Sequence, residues 1–360
     1  MKVAPVLAAL RTAGHQGVLV HTGQHYDASM SDSFFRDLGI PDPDYHLGVG
    51  SGSHAQQTGR VMEKFEPVLL EVRPDWVVVV GDVNSTLACA LVTAKLRHEL
   101  GCRLAHVEAG LRSGDWRMPE EVNRVLTDQV SDLLLVPSSD ELLNLDAEGI
   151  DRRKAVVVGN VMIDTLFAML PRARDIDIAG KLSLKRGDYA AATLHRPSNV
   201  DDPQRLEAIL QALGTVAETM PVVLPIHPRT RKNVERFGLE RELEQLTVHE
   251  PLSYLDMLSL SDGAAVVLTD SGGLQAETTA LGVPCVTLRE QTEWPVTLTK
   301  GTNRMTPWPL TREGVVSSFL SARAQGRVAP GSRSPEGWDG KAGDRIIVAL
   351  TSPDEHATQL

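Results

Sequence analysis

Short apolar runs, each closed by a small polar cluster and followed by a segment of helical period, recur along the chain. The first series is 17–20 before HTGQH, 76–80 before GD, 103–107 before EAG, 133–136 before PSS and 155–158 before GN. A second is 189–194 before HRPSN, 222–226 before HPRT, 247–249 before EPLSY, 264–268 before TDSGG and 285–288 before REQTE. Continuous apolar runs of this length suit strands buried on both faces of a parallel sheet. Their alternation with helical segments predicts an α/β protein built from two doubly wound halves. Ligands of such sheets lie outside the carboxyl ends of the strands, where the polar clusters fall. The polar groups are therefore expected to converge on a cleft between the halves.

The mixed charged and apolar stretch 171–187 reads as a linker. Residues 324–342, rich in Gly, Pro, Ser and Arg, read as a loop, and the apolar-periodic segment 344–350 as a last helix that packs on the first half. The expected domains are 1–168, completed by a C-terminal helix 343–353, and 169–335. A chain of 360 residues fits two cores, because single cores stop growing at roughly 250–300 residues.

With 42% hydrophobic and 23% charged residues, the composition excludes disordered, collagen-like and disulfide-scaffold classes. A net charge of −11 argues against a nucleic-acid partner, which needs a concentrated basic face. Cys89, Cys102 and Cys285 form neither a CxxC pair nor a metal-type spacing with histidine, and read as small buried residues in a reducing compartment. No run approaches the roughly 18 apolar residues of a membrane span, and the N-terminus lacks the architecture of a secretory signal. The expected location is the cytoplasm, with no membrane partner.

Four clusters carry candidate chemistry. In TDSGGLQAETTALG, a strand ending at Asp270 leads through Ser271, Gly272 and Gly273 into a helix whose free amides suit an anion. Glu277, one turn further on, could accept hydrogen bonds from a ribose. Alternatively Ser271 is merely the helix N-cap. In HVEAGLRSGDWRMPEEVNR, Glu108 ends a strand and Arg112, Asp115, Glu120, Glu121 and Arg124 follow closely. Such carboxylates suit acid–base work, or Glu120 and Glu121 simply complement the helix dipole behind Pro119. Asp82 follows four valines and precedes a helix, so it is either a cleft carboxylate or, the favoured reading of this strand end alone, part of that helix's cap. His195 and Arg196 in LHRPSN, with His227 and Arg229 in HPRT, suit diphosphate recognition at two strand ends of one half.

Together TGQHYD, GDVNSTLA, HVEAGLRSGD, PEEVNR, GN at Gly159 and Asn160, LHRPSN, HPRT, DSGG with QAE, TEWP and GWDGKAGDRI resemble the non-hydrolysing UDP-N-acetylglucosamine 2-epimerases over nearly the whole chain. The resemblance implies two Rossmann-like doubly wound domains in a glycosyltransferase-B-type arrangement with an interdomain cleft, 169–335 being the UDP-binding domain. It also implies a homodimer and interconversion of UDP-N-acetylglucosamine and UDP-N-acetylmannosamine through UDP elimination to 2-acetamidoglucal and re-addition, with no cofactor or metal. By the same resemblance Asp82, Glu108 and Glu120 handle the proton and the oxocarbenium charge, and His195 contacts the diphosphate. Ser271, Gly272 and Gly273 would bind the phosphates and Glu277 the ribose. Arg124 and His227 are further substrate contacts, and Lys2 matches the basic residue early in the family's first helix. The alternatives are a hydrolysing epimerase releasing N-acetylmannosamine and UDP, a glycosyltransferase of the same fold, and a nonenzymatic nucleotide-sugar sensor.

The sequence departs from that pattern in places. Met257 stands where many members carry a uridine-side aromatic, the ERPE-like segment reads Glu293-Trp294-Pro295-Val296, and His25 is followed by Tyr26 and Asp27. Helix-period residues Val3, Val6, Leu7 and Leu10 begin at once, without the strand and GTRPE turn that open the family's sheet. Met1 is therefore expected to be an internal start of a longer native chain.

Overall fold

A computed structural model describes residues 1–24 and 38–352. His25, Tyr26 and Asp27 of the HTGQHYD segment, and residue 353 of the expected last helix, lie outside the described residues. The chain divides into two compact units, one formed by Met1–Thr165 with the chain from Glu336 onward, the other by Leu166–Pro335.

In the first unit β1 (Val20–His21) pairs in parallel with β2 (Tyr45–His46). A separate parallel sheet runs in chain order through β3 (Trp76–Val80), β4 (Arg103–Val107), β5 (Leu133–Val136) and β6 (Ala155–Val157). In register, Val79 faces His106 and His106 faces Leu134. Alternate residues enter opposite cores: Val79 and Leu104 pack with Val61, Phe65 and Val92, whereas Ala105, Val107, Leu133 and Leu135 pack with Val6, Ile346 and Leu350. The last helix, Ala342–Thr351, thus covers the first unit's sheet. Its N-terminus is tied there by Asp164, whose carboxylate accepts the Ala342 and Gly343 amides at 3.1 and 2.7 Å. Gly159 permits the approach, because a Cβ there would meet the Gly337 carbonyl oxygen at 2.0 Å.

The second unit is one six-stranded parallel sheet made of β7 (Ala190–Thr193), β8 (Val222–Pro225), β9 (Thr247–His249), β10 (Val266–Thr269), β11 (Cys285–Thr287) and β12 (Asn303–Met305). Its order, β12-β11-β10-β7-β8-β9, is that of a dinucleotide-binding sheet, with the switch point between β7 and β10. Ala190, Ala192, Val266 and Leu268 face one core while Ala191, Val223 and Val267 face the other, so both sheet faces are buried.

The predicted strands recur within a few residues, with three differences. β1 forms at Val20–His21 rather than over 17–20, and β2 and β12 have no counterpart in the apolar-run reading because they are short and polar. Residues 171–187 are not a linker. Helix Val161–Ile176 carries the chain into the second unit, and helix Ile178–Lys181 follows. Leu170, Ala173, Ile178 and Ala179 are buried in the second unit's core, so the apolar half of that mixed composition was a helix face. Helix Arg312–Gln325 likewise runs just into the stretch read as loop. No helix among the described residues is long and apolar enough to cross a membrane, and all three cysteines are free and buried.

Candidate active site

At the first unit's strand ends, charges come in pairs. Glu108 follows β4, is 5% exposed, and adopts φ +69°, a left-handed conformation rare and strained for a residue with a side chain. One carboxylate oxygen binds the Lys2 ammonium; the other, Oε1, is buried without a hydrogen-bond partner. Burial disfavours the Lys2 cation, but the Glu108 and Asp82 carboxylates more than offset this and hold the ammonium above its ordinary range. Gly81, at φ +73°, lies against this pair: a Cβ there would sit 3.1 Å from Lys2 Nζ.

Asp82 is not a helix cap. Val83 is the N-cap residue of helix Asn84–Leu100, and no side chain caps it. Instead Asp82 Oδ2 accepts Arg124 Nη2 at 2.6 Å and Nε at 3.0 Å, while Asn123 holds the Asp82 carbonyl at 2.8 Å. Arg124 also donates to Glu121 at 2.7 Å, and Glu121 accepts the Ser113 and Gly114 amides. Burial opposes ionisation of Glu121, but these amides and Arg124 outweigh it and hold the carboxyl below its usual range. Glu121 is thus a loop-and-arginine anchor, and its neighbour Glu120 stands half-buried in the first turn of helix Pro119–Val130. Arg112 belongs to a buried cluster: it grips Glu148 at 2.6 Å and Asp128 at 2.8 Å, and Asp128 binds His106. Asp115 pairs with exposed Arg117.

At the second unit's switch point the polar groups are organised by one buried carboxylate. Asp270 accepts the His195 and Arg196 amides at 3.1 and 2.9 Å, Asn199 Nδ2 at 3.2 Å and His195 Nδ1 at 2.9 Å. Burial opposes its ionisation, but His195 and these amides hold it below the ordinary carboxylate range. His195 keeps 40% of its side chain exposed, while Asp270 holds its Nδ1. The Thr193 and Thr269 hydroxyls, 2.6 Å apart, join the two strand ends. Ser271 is the N-cap of helix Gly272–Leu281, its hydroxyl accepting the Leu274 amide at 3.4 Å. The cap and anion readings coexist, since capping satisfies one of four free amides of a first turn. His227 caps helix Pro228–Phe237, with its ring centroid 6.2 Å from that of His195. Arg229 is tied to Asp201. Glu277 is buried, and burial pushes its carboxyl up to about 7, opposed only in part by the Tyr254 hydroxyl beside it.

The structure therefore brings Lys2, Asp82, Glu108 and Arg124 into one set of strand ends and His195, Ser271, Gly272 and Gly273 into another, with His227 beside His195. Sequence reasoning missed the roles of Asp270, of the His106–Asp128 pair, and of Arg289 and Glu293, joined at 2.5 Å near Gly272. Arg289 and Glu293 are four residues apart but lie outside any helix, so their spacing gave no signal for the pair. Asp128, 22 residues from His106, gave none. Among the described residues no group of three His, Cys, Asp or Glu is placed to hold a metal ion.

Residues 8–351 match the family model for UDP-N-acetylglucosamine 2-epimerase. The chain belongs to the UDP-N-acetylglucosamine 2-epimerase family. It is 39% identical, over 98% of this chain and 95% of its relative, to the UDP-N-acetylglucosamine 2-epimerase of Methanocaldococcus jannaschii. A crystal structure of that enzyme with UDP-GlcNAc and UDP matches with a TM-score of 0.83 at 38% identity, covering 97% of this chain and 96% of that one. The chain is also 48% identical, over 79% of its length and 78% of the relative, to UDP-2,3-diacetamido-2,3-dideoxy-D-glucuronate 2-epimerase of Pseudomonas aeruginosa. Members of this epimerase family thus include enzymes named for two different 2-acetamido UDP-sugars.

Proposed function

We propose that the protein is a non-hydrolysing epimerase that inverts C2 of a UDP-2-acetamido sugar, interconverting UDP-N-acetylglucosamine and UDP-N-acetylmannosamine. The observation that carries this reading is Glu108: a buried carboxylate on strained backbone, one oxygen held by Lys2 and the other unpaired. A group so placed is set to meet a substrate atom rather than to stabilise the fold.

The C2 proton is not adjacent to a carbonyl, so departure of the leaving group must lead. The C1–O bond breaks, the electron pair leaves on UDP, and positive charge grows at C1 and the ring oxygen. One carboxylate among Asp82, Glu108 and Glu120 takes the C2 proton to give 2-acetamidoglucal, and the others stabilise the oxocarbenium charge. Proton return to the opposite face of C2 and re-addition of UDP at C1 complete a redox-neutral cycle. His195, Arg124 and His227 are assigned to the substrate's charged groups, the Ser271, Gly272 and Gly273 region to its phosphates, and Glu277 to its ribose. His195 is supported by its partly exposed ring held at Nδ1, the phosphate role by the free first-turn amides, and Glu277 by its buried carboxyl.

Incubation with UDP-N-acetylglucosamine alone, followed by proton NMR, tests the proposal: UDP-N-acetylmannosamine is expected, and unchanged donor or free sugar with UDP overturns it. The 48% identity to a diacetamido-glucuronate epimerase favours a second substrate of the same chemistry. A higher kcat/KM for UDP-2,3-diacetamido-2,3-dideoxy-D-glucuronate would reassign the sugar and leave the mechanism in place.

A further inference from the structure

We infer that His106 and Asp128 are positioning residues that hold the Glu108 and Gly81 strand ends in register through an imidazole bearing both of its ring protons; this rests on the reading of Glu108 and Asp82 as reacting carboxylates. The ring is fully buried, with Nδ1 2.6 Å from Asp128 Oδ1 and Nε2 2.8 Å from the Gly81 carbonyl oxygen. A carbonyl oxygen only accepts, and an ionised carboxylate only accepts, so both nitrogens must donate.

Asp128 is ionised because its second oxygen accepts the Gly110 amide at 2.9 Å and Arg112 Nη2 at 2.8 Å. Arg112 is held in turn by both oxygens of Glu148 at 2.6 Å. The four charges of His106, Asp128, Arg112 and Glu148 cancel, the condition under which ions persist away from water. The groups around the ring come from each neighbouring element. Helix Pro119–Val130 supplies Asp128, β3 and β5 supply the apolar Val79 and Leu134, and the turn after β3 supplies the Gly81 carbonyl. Lys2 lies against Gly81, where a Cβ would sit 3.1 Å from its Nζ.

The consequence reaches both carboxylates. Asp128 binds the side chain of residue 106 and the amide of residue 110, bracketing Glu108 and its left-handed backbone. The other ring nitrogen anchors the carbonyl immediately before Asp82. One protonated ring therefore ties together the ends of β3 and β4, so that Glu108 and Asp82 keep a fixed separation.

Two readouts test this. In wild-type protein with 15N-labelled histidine, one ring at neutral pH should show both nitrogens protonated and shielded from solvent exchange, a signal missing from H106Q. A buried ring with a single protonated nitrogen overturns the inference even if no variant folds. In kinetics with the UDP-sugar, H106Q keeps a donor toward Gly81 only and H106N a donor toward Asp128 only. Each should lose about 10- to 100-fold in kcat with little change in KM, as expected for small misplacement of reacting groups. D128N should lose as much, and H106Q/D128N no more than D128N alone, because the residues act as one device. Wild-type kcat in the single variants overturns the positioning role alone. No turnover by the wild-type protein overturns the epimerase reading and the positioning role with it, while the ring's protonation is read without substrate.

Discussion

At the end of β4 a buried carboxylate faces an ammonium and keeps one oxygen unpaired; at the end of β10 another buried carboxylate, Asp270, has its oxygens filled by amides, an Asn side chain and an imidazole. The first unit thus presents full charges in opposed pairs, Lys2 with Glu108 and Arg124 with Asp82. The second presents helix amides, a histidine held at Nδ1 and a buried carboxyl, Glu277. Opposed charges can exchange protons and follow charge as it moves, whereas fixed amides hold an anion whose charge stays in place. On the proposed epimerase reading, bond-making falls to the first unit and nucleotide retention to the second. Variants in the two units should therefore fail differently.

The largest effect should come from Glu108→Gln, which preserves shape and removes the charge and proton-accepting capacity of one of the three proposed carboxylates. Turnover is expected to fall by about 100- to 10,000-fold, with UDP affinity by calorimetry unchanged. Weakened UDP binding with turnover retained would abolish the division of labour. Asp270→Ala should show the reverse pattern. It strands the amides of His195 and Arg196, leaves Asn199 only its bond to the Leu288 carbonyl, and should cost about 3 kcal/mol of stability in denaturant unfolding, together with a clear loss of UDP affinity. Unaltered affinity would show that Asp270 serves the fold alone.

A smaller, pH-dependent effect isolates Glu277. Its carboxyl is raised from 4.5 to about 7, so the folded state holds a proton that the unfolded state releases from about pH 4.5 upward. This group's contribution to stability therefore falls as pH climbs from about 4.5 to 7 and is constant above, a penalty of about 3 kcal/mol at pH 8. Relative to wild type, Glu277→Gln should gain thermal stability over that window and then level off. UDP affinity should rise between pH 6 and 8 in wild type, where the ionised carboxylate accepts ribose hydroxyls, and stay flat in the variant. The comparison with the variant is needed because Glu141, in the first unit, is also pushed up to about 7 by burial. The smallest effect is a control: Asp115→Asn breaks an exposed pair with Arg117 and should change stability by less than about 0.5 kcal/mol.

Much of the parallel-sheet architecture was legible because both sheet faces are covered, which forces continuous apolar runs such as Val77–Val80 and Leu133–Val136. The short edge strands Tyr45–His46 and Asn303–Met305 carry no such run, being only partly covered and polar, and escaped detection. The stretch 171–187 misled because its charges lie on the outer face of helices whose inner face, Leu170, Ala173 and Ile178, is core. The candidate site was readable where a polar residue sits at a strand end, as with Asp82, Glu108, His195 and Ser271. It was not readable where a role depends on a partner distant in sequence: Asp82 finds Arg124 across 42 residues, and His195 finds Asp270 across 75. Spacing along the chain holds no record of such contacts until the sheet brings the strand ends together.

The central claim is that a carboxylate of the first unit moves the C2 proton while UDP departs and returns. Its most direct test is incubation of UDP-N-acetylglucosamine with the protein in D2O, followed by proton NMR and mass spectrometry. The expected result is UDP-N-acetylmannosamine carrying deuterium at C2, with UDP-N-acetylglucosamine also gaining deuterium at C2 as equilibrium is approached, and loss of both signals in Glu108→Gln. Product that retains its original C2 hydrogen, or accumulation of free N-acetylmannosamine and UDP, would contradict it.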